Sequence, residues 1–456
     1  MSSPWRLEAG ALIALALPMI AGNIAWAGIA ATDLLLLGRL GAGAVASGAL
    51  AINLFNALLI FGMGLVTAAS PLIASERGRH RHSVRDVRKT VHQTLRAATL
   101  FTLPAWALLW NSEAILLLMG QEPDLARQAG SLMHGLQWAL LPFLGFTTLR
   151  NFISALERPV WGLVIMICAI PFNILAGWTL IFGHFGFPAW GLFGAGIAST
   201  LSSTFLFLGL LSVILLNRNF RRYRLLGRFW TRDRERHRAV WTLGLPIAIT
   251  LGFETTVFNA SAFLMGLIDR DSLAAHAVAI QIAAMIFMVP MGIGQAATIR
   301  VGIAYGRRDS HAIARAGWLA LAVGTGFALA AAGLLISIPR TLVSAFLDLG
   351  DPANARSAAL AVHFLAIAAL FQLGDAAQAV SAGMLRGLQD TKVPMICALF
   401  GYWVVGLGVG VLLAFPMGLN GVGIWLGLAS GLGVVALLLV GRWWARERLS
   451  LLPLPR

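Results

Sequence analysis

Residues 15–41 read LALPMIAGNIAWAGIAATDLLLLGRLG, an apolar stretch interrupted by one carboxylate, Asp33. About 20 apolar residues in a helix cross the roughly 30 Å hydrocarbon core of a bilayer. Comparable stretches recur along all 456 residues, of which 58% are hydrophobic and only 12% charged. Ordinary globular chains carry about 25% charged residues. The composition therefore predicts a membrane protein built from spanning helices.

Hydropathy divides the chain into about twelve spans, an even number that places both termini on one side of the membrane. The predicted fold class is an all-α polytopic membrane protein. The predicted spans are residues 9–37, 46–74, 92–118, 128–155, 160–183, 190–216, 239–268, 274–304, 313–346, 357–386, 393–416 and 419–444.

Basic residues are concentrated in alternate connections between the spans. They crowd residues 75–91 and 217–238, whereas residues 111–127 and 347–356 carry acidic side chains instead. Loops rich in Arg and Lys stay in the cytoplasm, so we expect both termini there. The net charge of +15 does not indicate nucleic-acid binding, because no soluble domain is predicted to carry a basic face.

The sequence also contains an internal repeat. Residues 18–78 align without a gap with residues 246–306 at an offset of 228, so that Pro18 meets Pro246. Repeats in the same orientation predict two pseudo-symmetric six-helix lobes related by an axis along the membrane normal. We place these lobes at residues 1–216 and 239–456, with residues 217–238 as a basic cytoplasmic linker. The seam between such lobes is where transporters place a substrate path.

Glu254 and Asp375 lie near the centres of the seventh and tenth spans. An ionisable residue there is costly, and it normally faces a cavity, a partner or an ion. Gln372 and Gln378 flank Asp375 by three residues on either side, and oxygen ligands suit a hard cation. If the two spans pack together, the acids can share one proton or one Na⁺. The sequence thus predicts a cation-coupling site, with Glu254 and Asp375 as transient ligands if the ion is Na⁺.

Asp33 belongs to the first lobe and lies nearer the end of its span, where an acid can also simply reach water. The repeat pairs Asp33 with Ser261, and pairs Glu254 with Trp26, so the acids break the internal symmetry. Asn173 and Ser199, on the fifth and sixth spans, are candidate polar neighbours, with Asn173 as a hydrogen-bond partner of Asp33.

Two further side chains are candidates for the substrate cleft. Trp26 is expected either to anchor or pack its helix or to stack on a planar substrate. Gln281 is polar in an apolar span, and we expect a neighbouring helix to satisfy it. Cys168 and Cys397 give neither a disulfide framework nor metal spacing.

No catalytic signature, phosphate-binding loop or ATP-binding domain is present, so we expect no enzyme activity and no cofactor. Transport must then draw on an ion gradient. The alternative classes are an intramembrane enzyme, which would need an acid pair or a metal cluster with cleavage geometry, and a passive channel, which would conduct without coupling.

Three stretches resemble the multidrug and toxic compound extrusion (MATE) family, in its NorM-like branch. They are residues 15–41, residues 170–200 and the motif GMLRGLQDTKVPM at residues 383–395. The resemblance covers essentially the whole chain. It implies two six-helix bundles around a central cleft, and export of a lipophilic cation as Na⁺ or H⁺ enters.

By this resemblance, Glu254 and Asp375 match the cation-binding acids of the second lobe, and Asp33 matches an acid implicated in proton or substrate coupling. Phe371 stands where some relatives have a tyrosine, which removes a hydroxyl ligand. Gly177 stands where some relatives have a second acid, which weakens a proton network around Asp33.

The sequence therefore predicts a cation-coupled multidrug antiporter of the bacterial inner membrane, working as a monomer on cationic drugs and dyes. The alternative within the same wider superfamily is a flippase for lipid-linked oligosaccharides. A flippase would need a cationic cavity and extra spans, whereas the charges near the middle of the membrane are acidic and the spans number about twelve.

Overall fold

The computed structural model describes residues 4–79, 84–227 and 233–453. All regular secondary structure in these ranges is helical. We number the long helices α1 to α12 in chain order. They are α1 (Pro4–Gly38), α2 (Ala42–Thr67, continued by Ala69–Arg79), α3 (Val84–Trp110, then Ser112–Leu118), α4 (Pro123–Leu136, Gln137–Ala139 and Leu140–Ala155), α5 (Val160–Phe182), α6 (Gly191–Leu216), α7 (Arg234–Ile268), α8 (Arg270–Arg307), α9 (Ser310–Ser337), α10 (Ala355–Gly387), α11 (Lys392–Leu399, Phe400–Leu407 and Gly408–Ala414) and α12 (Asn420–Trp444).

Every predicted span overlaps one of these helices, but the ninth was predicted to reach residue 346, whereas α9 ends at Ser337 and a short helix, Pro339–Ser344, follows it. Within the described ranges, ten helices are long and apolar enough to cross a membrane, and the two parts of α3 make an eleventh if they form one span bent by 61°. The remaining helix, α4, is more polar, since it includes Asp124, Arg127 and Arg150. The all-α polytopic fold class is confirmed.

The chain divides into two compact units. The N-terminal unit is Ala21–Ala248, and the C-terminal unit combines Met1–Ile20 with Ile249–Arg456. Each boundary lies two residues beyond a proline inside a helix, Pro18 in α1 and Pro246 in α7. These prolines are equivalent in the internal repeat, so the start of α1 belongs to the C-terminal unit and the start of α7 to the N-terminal unit.

In the C-terminal unit, a two-point ion pair holds the start of α1. The Arg300 guanidinium on α8 donates to both carboxylate oxygens of Glu8, at 2.7 Å from Nε and 2.6 Å from Nη2. Only 12% of the Glu8 side chain and 18% of the Arg300 side chain is exposed. Bidentate pairs of this kind are the stronger ones, because two charge-assisted bonds fix one geometry.

In the N-terminal unit, Arg236 plays the equivalent part at the start of α7. Its guanidinium pairs with Glu76 at the end of α2 and, at 2.8 Å, with Asp86 on α3. The repeat offset relates position 8 to position 236, since 8 + 228 = 236. Each unit therefore uses a largely buried ion pair to hold the first turns of a helix whose remainder belongs to the other unit. The helix start carries the acid of the pair in α1 and the base of the pair in α7.

Helix α10 lies at the centre of the C-terminal unit, where it packs against α8, α9 and α12. Helix α11 contacts α12 along glycines. A Cβ added to Gly427 of α12 would lie 2.3 Å from the Gly410 Cα of α11, which no real side chain tolerates. Small residues allow membrane helices to approach this closely. The centre of α11, Phe400–Leu407, is a π-helix, a form that recurs at functional sites.

We expect Gly427→Ala to lower the thermal stability of the protein, because the added methyl group must separate α11 from α12. Overpacking of this kind costs about 1–3 kcal/mol. Gly433→Ala is the matched control on the same helix, since no atom lies within 4 Å of its added Cβ. Alanine favours a helix over glycine, so the control should be neutral or slightly stabilised. Equal melting temperatures for the two variants in detergent would contradict this packing.

Candidate functional site

A cavity of about 230 Å³ lies inside the N-terminal unit. Its walls come from α1, α2, α4, α5 and α6, and they are mostly apolar. Asp33 and Asn173 supply polar groups, while Trp26 and Phe143 supply aromatic surface. The rings of Trp26 and Phe143 are tilted with their centroids 6.2 Å apart. Pockets for drug-sized ligands combine apolar walls with a few placed polar groups in this way.

Hydrogen bonds satisfy Asp33 on both carboxylate oxygens. Asn173 Nδ2 donates to Asp33 Oδ1 at 2.7 Å, the contact expected from the sequence, and Ser199 Oγ donates to Asp33 Oδ2 at 3.2 Å. Asn173 is itself fixed, because Ser202 Oγ donates to its Oδ1 at 2.6 Å. A Cβ at Gly177 would lie 2.4 Å from Leu36 Cδ1, so the wall is closed at that position.

The two acids of the C-terminal unit are in the opposite situation. Neither Glu254 nor Asp375 makes a hydrogen bond among the described residues, although Asp375 is only 4% exposed. The carboxyl groups of Glu254 and Asp375 are close enough for their negative charges to repel each other. The structure therefore brings the two predicted acids into one neighbourhood and leaves their oxygens without donors.

The predicted glutamines are buried on α10, three residues before and three residues after Asp375. Gln372 Nε2 donates to the Ala283 carbonyl oxygen of α8 at 2.9 Å, which leaves its Oε1 buried without a partner. Gln378 Oε1 and Asp375 Oδ1 are also buried and unpartnered. We call Glu254, Asp375, Gln372 and Gln378 the acid site. It offers acceptor oxygens in excess of protein donors, which is what a hard cation requires.

Phe371 is buried beside this site and contributes packing. Its ring meets Phe258 of α7 at 6.1 Å and Trp425 of α12 at 5.6 Å, both edge-on. The Phe258 contact links α7 to α10 close to Glu254.

Two residues of this neighbourhood were missed by sequence reasoning. The charge of Arg386 acts on Glu254, and Tyr402 interacts with Glu254, Asp375 and Arg386. Arg386 follows Asp375 by eleven residues, which is three helical turns, so a helical wheel of α10 places both on one face. No comparable signal exists for Tyr402, which comes from α11.

The prediction that a neighbouring helix satisfies Gln281 is wrong. Its side chain on α8 is exposed and makes no hydrogen bond among the described residues. Hydropathy identifies a span, but in a helix that is apolar on all sides it does not show which face packs. A role for Gln281 in the substrate cleft stays a prediction.

Within the described residues, no three side chains of His, Cys, Asp or Glu cluster in a way that holds a metal ion. The acid site has two carboxylates and amide oxygens, a set that suits a transient Na⁺ or a proton better than a resident transition metal.

Comparisons with known proteins place the chain among transporters. A family model described as MatE matches residues 18–179 and 246–412, whose starting points are separated by the repeat offset, since 246 − 18 = 228. A probable multidrug resistance protein NorM from Mesorhizobium japonicum is 57% identical over 98% of this chain and 96% of its own length. One from Brucella suis is 54% identical over 96% of this chain and 93% of its own length.

Solved structures agree on the fold. An outward-facing multidrug resistance MATE family transporter of the MOP superfamily superposes with a TM-score of 0.85 at 19% identity, covering 98% of this chain and 97% of that one. The eukaryotic MATE transporter AtDTX14 gives a TM-score of 0.84 at 20% identity, covering 98% of this chain and 99% of that one.

Proposed function

Since the chain belongs to the MatE family and is a multidrug efflux transporter, we propose that it is an antiporter that couples export to inward movement of Na⁺ or H⁺. The acid site is proposed to bind the coupling cation. The exported compounds are proposed to be lipophilic cations, such as drugs and dyes. These proposals add a coupling ion and a substrate class to the multidrug efflux role.

One observation carries the assignment of the coupling site: Asp33 accepts a hydrogen bond on each carboxylate oxygen, whereas the acids of the acid site accept none among the described residues. A buried acceptor without a donor costs about 1–3 kcal/mol, and more when it is charged. Asp33 avoids that cost through Asn173 and Ser199. Asp375 has no such partner, so an entering cation supplies what the protein leaves out.

Exchange follows from reciprocal linkage. If cation binding stabilises one of the two states that open to opposite sides, and drug binding stabilises the other, each ligand drives release of the other. The free energy of the inward ion gradient then drives outward movement of the drug. A positively charged drug also competes with the cation for the same negative potential.

The N-terminal cavity is the proposed contact for the drug. Trp26 and Phe143 present aromatic faces, which attract cations as well as apolar rings. Asp33 adds a fixed negative charge, held by Asn173 and Ser199, that favours cationic compounds over anionic ones. Its role here is to select and orient the substrate.

We place the transporter in the bacterial inner membrane with both termini in the cytoplasm, because its basic connections lie on the side of the termini. The first turns of α1 and α7, which contain Glu8 and Arg236, then lie on the cytoplasmic side. We propose that one chain is sufficient, since the cavity and the acid site are each built within one chain.

Gradients imposed separately across proteoliposomes test the proposal and identify the ion. Purified protein is reconstituted with a fluorescent cationic dye, and dye movement is followed after a Na⁺ gradient or a pH gradient is applied. We expect one of the two gradients to accelerate export of the cationic dye. An anionic dye of similar size should not be transported under either gradient. Dye movement that responds to neither gradient would reject antiport, and equal transport of the anionic dye would reject the substrate class.

A further inference from the structure

Tyr402 lies inside the π-helix of α11 and is almost completely buried, with 2% of its surface exposed. The chain has three tyrosines, and the other two, Tyr223 and Tyr305, lie in a connection after α6 and near the end of α8. The backbone around Tyr402 is pressed against α12: a Cβ at the preceding Gly401 would lie 2.2 Å from a Val435 methyl group. The backbone that carries the ring is therefore closely packed.

The Tyr402 hydroxyl has no hydrogen-bond partner among the described residues. Buried tyrosine hydroxyls usually find one, because burying an unpaired hydroxyl costs free energy. A buried polar group that stays unpaired in a native protein requires an explanation, such as an ion or water that binds there.

The ring position points to the acid site. Tyr402 shares a small apolar cavity with Val257 and Phe258 of α7, which follow Glu254 by three and four residues, or one helical turn. The carboxyl groups of Glu254 and Asp375 both lie within electrostatic range of its hydroxyl. Arg386 is the other charged group that acts on it. The unpaired hydroxyl is thus in the neighbourhood where Asp375, Gln372 and Gln378 also have unpaired oxygens.

We propose that the Tyr402 hydroxyl is a further oxygen ligand of the coupling cation at the acid site. This inference rests on the proposed function of that site. The hydroxyl can direct a lone pair at Na⁺, or accept a hydrogen bond from a carboxyl group that has taken up H⁺. The π-helix is the element that places it, because its wider turn changes the direction of the side chain relative to a regular helix.

Tyr402→Phe tests this, since it removes the hydroxyl and keeps the ring; Tyr305→Phe is the control. Two quantities are measured on the full-length protein in lipid nanodiscs. The first is cation affinity, from binding of ²²Na⁺ and from the pH dependence of dye binding. The second is the melting temperature without Na⁺ at alkaline pH.

We expect Tyr402→Phe to weaken binding of the coupling ion roughly fivefold or more, the loss expected for one oxygen ligand. The same variant should melt at an equal or higher temperature in the ion-free state, because an unpaired buried hydroxyl is gone. A role in packing alone predicts an unchanged ion affinity, because phenylalanine keeps the ring.

Unchanged affinity for Na⁺ and an unchanged pH dependence in Tyr402→Phe would overturn the proposal while leaving the acid site in place. If the parent protein binds neither ion and responds to neither gradient, the proposed function fails and the role of Tyr402 fails with it. The two failures are therefore distinguishable.

Discussion

Glu254→Gln should abolish cation-driven efflux while the protein still folds and inserts into the membrane. Glutamine has nearly the same shape but carries no charge and cannot take up a proton. Loss of a charged ligand removes about 2–3 kcal/mol of binding, which corresponds to a roughly 30- to 150-fold weaker affinity for the ion. Glu254 makes no hydrogen bond among the described residues, so the replacement breaks none, and the change for the protein is that Arg386 loses a nearby negative charge.

The measurement is dye export from proteoliposomes under whichever gradient drives the parent protein. Glu235→Gln is the matched control, since Glu235 lies in the exposed first turn of the same helix, α7. The control should transport at the parental rate. Gradient-driven export by Glu254→Gln at that rate would show that the coupling ion binds elsewhere, with Asp33 as the next acid to replace.

Glu8→Gln and Arg300→Gln should each destabilise the protein by about 3 kcal/mol. Breaking a buried ion pair by removing one partner leaves the other charge desolvated, and this costs more than the pair contributes as a whole. The double variant should be more stable than the sum of the two single effects predicts, because it leaves no charge behind. Thermal unfolding of the four proteins, measured as a double-mutant cycle, gives the coupling energy.

The Asp124–Arg127 pair provides the control for this cycle. Its atoms are 3.7 Å apart and its side chains are 78% and 73% exposed, so the pair should contribute almost nothing. A coupling energy between Glu8 and Arg300 as small as that of the control would mean that the start of α1 is not held by this pair.

Much of the fold was predictable because apolar length alone identifies membrane spans. All twelve predicted spans overlap helices, and the repeat at offset 228 reappears in the two matches of the family model. Sequence patterns did not predict that the start of α1 joins the C-terminal unit. Glu8 and Arg300 are 292 residues apart, and no local pattern indicates which distant charge a residue meets.

The candidate site was also predictable only in part. An acid in an apolar span is visible in the sequence, so Asp33, Glu254 and Asp375 were found. The roles of these residues depend on their partners, and partners come from other helices. Hydrogen bonds to Asp33 and their absence at Asp375 distinguish the two, but both acids look alike in the sequence. Tyr402 was missed because its position depends on the π-helix, and Gln281 was misjudged because its face was unknown.

The C-terminal unit combines residues from both ends of the chain. Its two parts are therefore synthesised at different times. At about 5–20 residues per second, Arg300 is made some 15–60 s after Glu8. Residues Ala21–Ala248 are all available well before that moment, so the N-terminal unit is complete first. The segment that carries Glu8 must wait with its carboxylate unpaired until α8 has been made. Glu8 is thus synthesised before the N-terminal unit and paired after it.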